Sequence, residues 1–428
     1  MALAGARVSG LRCMKCGREY APGEAAYTCD DCGLDGILDV LYDYDEVRRT
    51  WRREDLAASR ESSHWRYLPL MPVSADSLPS LRAGWTPLYN GRGLLDLPNL
   101  WIKDDSLNPT ASLKDRATSV GVARALAEGA TAVAGASTGN AGSSLAGFAA
   151  AEGLPCYMFV PADAPRPKIA QLLVYGATVF AVDGSYDDAF DLAAQAIERY
   201  GWYNRSCAVN PYLVEGKKTV SLEICEQLDF VAPDKVFVPV GDGCIMSGVY
   251  KGFAEFAELG FTDRVPELIG VQAEGCDPIK VAFDSECEMV PCEACTLADS
   301  IAAGHPRNWR KATRGIRASG GSMMTVSDDE ILAAIATLGA ATGIFAEPAG
   351  ATAFAGLTKA VAEGTVSRDE TVAVLMTGSG LKDTASAMKA AGEPVTVGRS
   401  LSDVEAALEE AAADAGAPRR KADGGGGA

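Results

Sequence analysis

The sequence predicts an α/β fold with open sheets of parallel strands, preceded by a small cysteine-rich module. Beyond about residue 118, apolar runs of strand length alternate with segments of helical periodicity. Strands separated by helices of this length pair in parallel through right-handed crossovers. Two of the apolar runs end in turns of small residues that lead directly into a helix, and ligands bind at this edge of such sheets.

The individual elements follow from the same periodicity. The predicted strands are residues 100–103, 130–136, 156–161, 178–182, 236–240, 267–272 and 371–376. The predicted helices are residues 119–128, 142–152, 166–175, 186–200, 218–228, 246–258, 328–342 and 349–363. We divide the chain into a module at 1–45, a connection and start of the large domain at 46–118, a small domain at 119–220 and the rest of the large domain at 221–410. Residues 411–428 are rich in Ala and Gly and are predicted to be a disordered tail.

Composition limits the classes of function. The chain has 428 residues, of which 48% are hydrophobic, and carries a net charge of −18 with a pI of about 4.7. This acidic balance argues against nucleic acid or an anionic membrane as the main partner. Because we find no signal peptide and no apolar run long enough to span a membrane, we expect a cytoplasmic protein whose cysteines are thiols or metal ligands.

The cysteine-rich module is defined by two Cys-x-x-Cys pairs, Cys13 with Cys16 and Cys29 with Cys32. Four thiolates in two knuckles suit tetrahedral zinc, and a segment this small cannot fold on its own core. The pairs therefore predict a structural zinc ribbon, with free thiols as the alternative. A second group, Cys287, Cys292 and Cys295, lacks the paired spacing, and we interpret these residues as ordinary thiols.

A lysine follows a proline-bearing turn in residues 108–116, Asn-Pro-Thr-Ala-Ser-Leu-Lys-Asp-Arg. Pro109 biases the residue before it toward extended geometry, so a helix is expected to begin after it. Ser112 is the expected N-cap, and Asp115 falls in the first turn. Lys114 then lies beside the positive end of the helix dipole, where that field and burial both disfavour the ammonium form. It is a candidate nucleophile, although most lysines at such positions are simply solvated.

Two small-residue turns strengthen the case for this lysine. Residues 137–142, Ser-Thr-Gly-Asn-Ala-Gly, follow one predicted strand, and residues 241–248, Gly-Asp-Gly-Cys-Ile-Met-Ser-Gly, follow another. Such turns present backbone N–H groups and a positive dipole end to an anion. A lysine with two anion-binding turns suggests pyridoxal 5'-phosphate, a phosphorylated aldehyde that bonds covalently to an amine. A nicotinamide site fits less well because Met246 occupies the third glycine position, and no Gly-Lys-Ser/Thr sequence forms a P-loop.

Several segments, taken in order, carry a resemblance to a known family: residues 64–73, 84–88, 108–116, 137–142, 343–350 and 377–383. They resemble the fold-type-II pyridoxal phosphate enzymes and, within that group, the threonine synthases. The similarity runs from about residue 13 to about residue 382. It implies a two-domain enzyme and a homodimer, and some members carry a similar N-terminal ribbon.

The resemblance implies a role for each matching position. Lys114 would bond the cofactor and move protons, Asn140 would contact the cofactor's phenolic oxygen, and Thr377 would face its pyridine nitrogen. The cofactor phosphate would lie in the turn formed by Gly241, Asp242, Gly243, Cys244 and Ile245, and the substrate carboxylate would be held by Ser137, Thr138 and Ala141. A hydroxyl at the pyridine nitrogen gives a milder electron sink, suited to elimination and replacement rather than transamination.

The implied reaction is conversion of O-phospho-L-homoserine and water to L-threonine and phosphate. One segment departs from the family pattern: Cys207, Ala208 and Leu213 stand where Asn, Ser and Arg hold the leaving phosphate. An aliphatic chain does not replace an Arg fork on phosphate. Either Lys217 or Lys218 compensates from the next turn, or the substrate differs. The alternatives are β-replacement or β-elimination on phosphoserine, serine or threonine, a ribbon binding module with a degenerate enzyme body, and a nicotinamide enzyme.

Overall fold

The computed structural model describes residues 7–25, 27–164, 166–207 and 209–416. Within them the strands are β1 (Val8–Cys13), β2 (Glu19–Tyr20), β3 (Thr28–Cys29), β4 (Gly33–Tyr42), β5 (Leu88–Asn90), β6 (Leu100–Asp104), β7 (Val133–Ala136), β8 (Cys156–Pro161), β9 (Thr178–Val182), β10 (Tyr203–Asn204), β11 (Lys235–Pro239), β12 (Glu267–Ala273), β13 (Ser322–Val326) and β14 (Val372–Met376).

The α-helices in the same part of the chain are α1 (Tyr44–Thr50), α2 (Arg53–Ala58), α3 (Lys114–Glu128), α4 (Asn140–Ala151), α5 (Arg166–Val174), α6 (Tyr186–Tyr200), α7 (Tyr212–Lys217), α8 (Thr219–Gln227), α9 (Cys244–Glu258), α10 (Pro278–Ser285), α11 (Trp309–Ala318), α12 (Asp328–Thr342), α13 (Pro348–Ala362), α14 (Thr384–Ala391) and α15 (Leu401–Gly416). None of these helices combines the length and the apolarity needed to cross a membrane.

Three sheets organise the described residues. A four-stranded sheet of order β2-β1-β4-β3 forms the N-terminal module, and its pairings are antiparallel. A second four-stranded sheet, of order β10-β7-β8-β9, is parallel throughout. The third has six strands in the order β13-β12-β11-β14-β6-β5 and is parallel except for its edge strand β5. The predicted α/β class with parallel-type sheets is confirmed.

The six-stranded sheet carries a buried cluster on each face. One cluster contains Phe253 and Phe256 of α9, and the other contains Phe354 of α13. Helices on both faces are what an open parallel sheet requires, because its strands are buried on both sides. In this sheet β11 and β14 are neighbours. The turn at residues 241–245 follows β11 and the turn at Thr377 follows β14, so both turns lie at the carboxyl edge of the sheet, where ligands bind in such folds.

The N-terminal module shares its core with the enzyme body. Leu11 and Val40 of the module lie in one buried cluster with Val120 and Ala123 of α3 and with Tyr212 of α7. A module of this size has too little core of its own, so packing on the body contributes to its stability. It contacts the same helix that begins at Lys114.

Each predicted strand and helix overlaps an observed one. Outside the N-terminal module, the sequence analysis missed the strands β5, β10 and β13 and the helices α1, α2, α7, α10, α11, α14 and α15. Of these, α10, α11 and β13 lie in the more polar stretch between residues 278 and 326. The prediction of a tail from residue 411 is wrong for its first residues, because α15 continues to Gly416. The rest of that prediction, residues 417–428, lies outside the described residues.

Candidate active site

The lysine turn is joined by backbone hydrogen bonds to the segment that follows β14. The Leu113 N–H donates to the Thr377 carbonyl at 2.9 Å, and the Ser379 N–H donates to the Ala111 carbonyl at 3.1 Å. An isolated antiparallel bridge pairs Ser112 with Gly378. These bonds bring two predicted site residues from distant parts of the chain, Lys114 and Thr377, to the same place.

The prediction that Ser112 caps α3 is wrong. The N-cap position belongs to Leu113, with no side-chain cap bond, and the buried Ser112 hydroxyl has no protein partner. Asp115 instead accepts from the Thr110 backbone N–H at 2.6 Å and from the Thr110 hydroxyl. Ala111 between them adopts a left-handed φ of 65°, which is unusual for a residue with a side chain. The backbone ahead of Lys114 is therefore strained and held by specific contacts.

One turn of α3 is fixed by a buried ion network. Arg116 is fully buried, and its guanidinium donates to Asp105 at 2.6 and 2.8 Å and to Glu223 at 2.7 Å. A bidentate arrangement on two carboxylates gives both charge balance and orientation. Because Arg116 lies two residues after Lys114, this network anchors the start of α3 next to the Lys114 side chain.

The surroundings of Lys114 favour the neutral amine. Desolvation, and then repulsion by the Lys217 ammonium, lower the pKa of Lys114 to about 8, and Arg205 acts in the same direction. Cys207 and Glu347 act in the opposite direction. The resulting pKa allows this amine to accept and to release a proton near neutral pH.

Asn140 is the first residue of α4 and contacts a buried carboxylate. Its Nδ2 donates to Glu347 Oε1 at 2.8 Å and to Oε2 at 2.9 Å. Burial raises the pKa of Glu347. Glu347 is the N-cap residue of α13, a helix that packs on the six-stranded sheet. This contact therefore joins that helix to the turn after β7, a strand of the four-stranded parallel sheet.

The turn before α4 carries the predicted carboxylate ligands. Ser137 and Thr138 are half-buried, and the Gly139 N–H donates to the Ser137 hydroxyl at 3.2 Å. The turn is tight, because a Cβ on Gly142 would lie 2.3 Å from the Ser137 carbonyl oxygen. Ala141 lies in the first turn of α4, where N–H groups lack intrahelical partners. A cleft of about 180 Å³ opens here, lined in part by Thr138, Asn140 and Glu347.

The glycine turn after β11 is packed tightly on its outer side. A Cβ on Gly241 would lie 2.7 Å from Ile301 Cα, and one on Gly243 would lie 2.9 Å from the Asn308 carbonyl oxygen. Gly243 also has a φ of 87°, which side chains rarely adopt. The Ser247 N–H is bonded to the Gly243 carbonyl, so the amides of Cys244 and Ile245 belong to the open first turn of α9.

Asp242 stabilises this turn from within. Its carboxylate accepts from the Arg307 N–H at 2.7 Å and from the Cys244 thiol at 2.9 Å. Its carbonyl accepts from the Asn308 N–H at 3.0 Å. The side chain of Asp242 therefore holds the turn in place, and backbone amides remain the groups suited to an anion.

The two lysines predicted as substrate ligands have different surroundings. Lys217 Nζ lies 3.2 Å from the Cys207 sulfur and is among the groups that shift the pKa of Lys114. Lys218 is fully buried and pairs with Glu215 at 2.6 Å and Glu255 at 2.8 Å. The prediction that Lys218 binds substrate is therefore wrong, because its charge is already neutralised inside the core.

The sequence analysis did not identify two polar residues near the site, Arg205 and Lys382. Arg205 follows β10 directly, at the carboxyl end of a parallel strand, and this position was an available signal. Lys382 donates to the Ser143 hydroxyl at 3.0 Å and to Gln171 at 3.2 Å, and it also lines the cleft. Lys382 lies within residues 377–383, one of the segments that carry the resemblance, but the sequence analysis assigned it no role.

The four cysteines of the N-terminal module converge. Their sulfur atoms all lie within 4.8 Å of one another, and the Cys16 and Cys29 sulfurs are 3.7 Å apart. Tetrahedral zinc with Zn–S bonds of about 2.3 Å requires sulfur separations of about 3.8 Å. This donor set fits zinc. The second cysteine group, at residues 287–295, forms no comparable cluster among the described residues.

The residues at the catalytic site fit pyridoxal phosphate. The fit rests on an amine with a lowered pKa, a glycine turn with no room for side chains at Gly241 and Gly243, and a buried amide at the start of α4. Each of these groups comes from a turn at the carboxyl edge of a sheet, where ligands bind in this class of fold.

Comparison with known proteins agrees with this geometry. Residues 79–378 match the family model described as "Pyridoxal-phosphate dependent enzyme". A threonine synthase from Methanocaldococcus jannaschii is 40% identical over 406 residues, covering 93% of this chain and 99% of that protein. A threonine synthase from Methanosarcina acetivorans is 39% identical and covers 93% of this chain and 98% of its own.

Solved structures show the same fold at lower identity. A processed threonine deaminase isoform 2 from Solanum lycopersicum superposes with a TM-score of 0.61 at 21% identity, covering 87% of this chain and 90% of that one. At this identity the likeness concerns the fold alone.

Proposed function

The chain belongs to the pyridoxal-phosphate-dependent enzymes and, within them, to the threonine synthase family, and we propose that it converts O-phospho-L-homoserine and water to L-threonine and inorganic phosphate. The observation that carries this proposal is the nearly full-length match to proteins named threonine synthase at 39–40% identity. The site supports it with one amine of suitable pKa and a cationic environment beside it.

The residues proposed to hold the cofactor are the positions that match the family pattern. They are Lys114, Asn140, Gly241, Asp242, Gly243, Cys244, Ile245 and Thr377. When bound, pyridoxal phosphate supplies an electron sink that stabilises negative charge at the substrate's Cα. The protein supplies the orientation of the reacting atoms and the groups that move protons.

Proton transfer in this reaction requires a base near Cα and Cβ. The substrate loses a proton from Cα and then one from Cβ, its phosphate leaves from Cγ, and water adds at Cβ. Lys114 Nζ is the group whose pKa of about 8 suits both removal and return of protons near neutral pH. Ser137, Thr138 and the first-turn amide of Ala141 would hold the carboxylate and so orient the substrate.

A steady-state assay tests the proposal directly. We expect the holoenzyme to release phosphate from O-phospho-L-homoserine and to form L-threonine in equal amount. The second candidate, use of phosphoserine, is favoured by one observation, that Leu213 replaces the phosphate-holding Arg of the family pattern. A larger kcat/KM for phosphoserine than for phosphohomoserine would contradict the proposal and support this alternative.

We also propose that Cys13, Cys16, Cys29 and Cys32 bind one structural zinc ion. The converging sulfurs support this proposal. Metal analysis of the purified protein should give about one zinc per chain, and Cys16→Ser should lower this content. Cys287→Ser is the matched control, since Cys287 is also an exposed cysteine and should leave the zinc content unchanged. Equal zinc in both variants would contradict the proposal.

Other features stay predictions. These are the homodimer, the cytoplasmic location, the domain boundaries at residues 45, 118, 220 and 410, and the assignment of each site residue to a particular group of cofactor or substrate. Size-exclusion chromatography with light scattering would test the first of them.

A further inference from the structure

Two buried cations meet at one sulfur atom close to the lysine. Lys217 Nζ lies 3.2 Å from Cys207 Sγ, and Arg205 Nη1 lies 3.8 Å from the same atom. Both cationic side chains are almost completely buried, with 2% of Lys217 and 5% of Arg205 exposed. They come from different elements, since Arg205 follows β10 and Lys217 ends α7.

Neither cation has a carboxylate partner among the described residues. The other strongly buried cations behave differently: Lys103, Arg116 and Lys218 each form an ion pair with Glu or Asp. Leaving a cation buried without an anion is costly, and two such cations side by side are more so. The pair is therefore suited to an anion that binds from outside the protein.

The Cys207 thiol is the only acceptor that faces both cations within the described residues. Contact with the Cys244 thiol, and then the charges of Lys217 and Arg205, hold the pKa of Cys207 well below that of an ordinary thiol. A thiolate carries one charge, so it balances only part of the pair. A phosphate monoester dianion would balance both cations.

The cation pair is placed beside the reacting amine. Arg205 Nη2 and Nε contact the Thr118 hydroxyl at 3.0 and 3.3 Å, and Thr118 lies one helical turn beyond Lys114 on the same face of α3. Both cations are close enough to lower the pKa of Lys114. The Cys207 carbonyl also accepts from Asn308, which packs against the glycine turn. The pair is thus close to the amine, and Cys207, which contacts both cations, also contacts a neighbour of that turn.

Leu213 shows why another residue must hold the leaving group. It is fully buried, and its Cδ2 would lie 2.8 Å from a Cβ on Gly121 of α3. The side chain at this position therefore packs into the core next to α3. The family pattern has a positively charged Arg at position 213. In this chain, Arg205 and Lys217 can supply that charge instead.

We propose that Arg205 and Lys217 form the subsite that binds the substrate's phosphate group and then the inorganic phosphate product. The proposal rests on the function proposed above, because it names the group through which that site selects a phosphorylated amino acid. Its chemistry is recognition of a phosphate monoester dianion by a guanidinium and an ammonium. The phosphate group of pyridoxal phosphate is also a monoester dianion, and it is the competing ligand for this pair.

The test uses the holoenzyme with inorganic phosphate as the probe. In Lys217→Gln and Arg205→Gln, we expect the inhibition constant for inorganic phosphate and the KM for phosphohomoserine to rise about 10- to 100-fold, since each variant loses a charge-assisted hydrogen bond. The dissociation constant for pyridoxal phosphate should stay within about twofold of the wild-type value. Lys217→Arg keeps the charge and should restore phosphate binding. Lys280→Gln, a surface lysine paired with Asp284, is the matched control.

Two results would overturn the proposal. A rise in the dissociation constant for pyridoxal phosphate, with phosphate inhibition unchanged, would assign the pair to the cofactor. Unchanged constants for both ligands would leave the pair with a purely structural role. If inorganic phosphate binds as expected but no threonine forms, the proposed function fails while the phosphate subsite stands.

Discussion

The Tyr42 hydroxyl donates to the Glu215 carboxylate at 2.9 Å and joins the N-terminal module to the short helix that ends at Lys217. Tyr42 is the last residue of β4, and Glu215 is fully buried. Lys251 of α9 extends the network, because it lies 2.8 Å from Glu215 and pairs with Asp39 of β4 at 3.3 Å. The module therefore contacts both α9, which follows the glycine turn, and α7, the helix that carries a proposed substrate ligand.

The first prediction concerns this contact. Tyr42→Phe keeps the ring but removes the donor, so Glu215 loses one partner in a fully buried site. We expect the free energy of unfolding to fall by about 1–3 kcal/mol. Urea denaturation measures this change. Tyr89→Phe on the exposed edge strand β5 is the control and should change the free energy by less than about 0.5 kcal/mol. Equal effects of both substitutions would show that the Tyr42–Glu215 contact does not stabilise the fold.

The second prediction concerns the glycine turn. Gly243→Ala places a Cβ 2.9 Å from the Asn308 carbonyl at a φ of 87°, so the turn must shift. We expect the dissociation constant for pyridoxal phosphate to rise at least about tenfold, as measured by equilibrium dialysis. Gly129→Ala has a similar φ of 68° with nothing within 4 Å of the new Cβ. It should strain the backbone equally while leaving cofactor affinity unchanged, and a parallel loss in both variants would disprove a phosphate-binding role of the turn.

The third prediction concerns the contact between Asn140 and Glu347. Glu347→Gln replaces one carboxylate oxygen by an amide that cannot accept from Asn140. We expect kcat to fall about tenfold or more because the Asn140 amide loses its orientation. Gly378→Ala should act in the same way, since its Cβ would lie 2.2 Å from Glu347 Oε1. Steady-state kinetics with matched thermal unfolding curves measure both. Wild-type kcat in the two variants would rule out a role for this contact in catalysis.

The fourth prediction is a dependence of stability on pH. Burial lowers the pKa of His64 to about 3, against about 6.5 in the unfolded chain. The stability contributed by neutral His64 is thus fully present above pH 6.5 and is lost as the pH falls toward 3. The loss reaches about 2 kcal/mol by pH 5. His64→Asn should flatten the dependence of the unfolding free energy on pH in this range.

The control for that prediction is His305→Asn, since His305 is exposed. It should leave the slope between pH 6.5 and 5 as in the wild type. If His64→Asn also leaves the slope unchanged, the acid sensitivity of the protein arises from other groups.

Sequence reasoning succeeded where a residue's role is set by its neighbours along the chain. A helix follows the turns at Lys114 and Gly243 as expected, although α3 and α9 begin before the predicted residues 119 and 246. It failed where the partner is distant. Lys217 and Lys218 are adjacent in sequence, yet one faces the Cys207 sulfur and the other a pair of buried carboxylates. Only the packing of α7 against α3 and α9 distinguishes them.

Arg205 is a second residue whose role depends on a contact that is distant in sequence. Its guanidinium contacts Thr118, which lies in α3, and Cys207. The pairing of β10 with β7 holds the backbone of Arg205 in the position from which it makes these contacts. A rule that inspects every cation at the carboxyl end of a parallel strand would have selected it.

The central claim is that Lys114 bonds covalently to pyridoxal phosphate. Borohydride reduction of the purified holoenzyme, followed by peptide mapping, tests it most directly. We predict a pyridoxyl group on the peptide that contains Lys114, and in Lys114→Ala the loss of both that adduct and threonine formation. A colourless wild-type protein, or an adduct found on another lysine, would contradict the account.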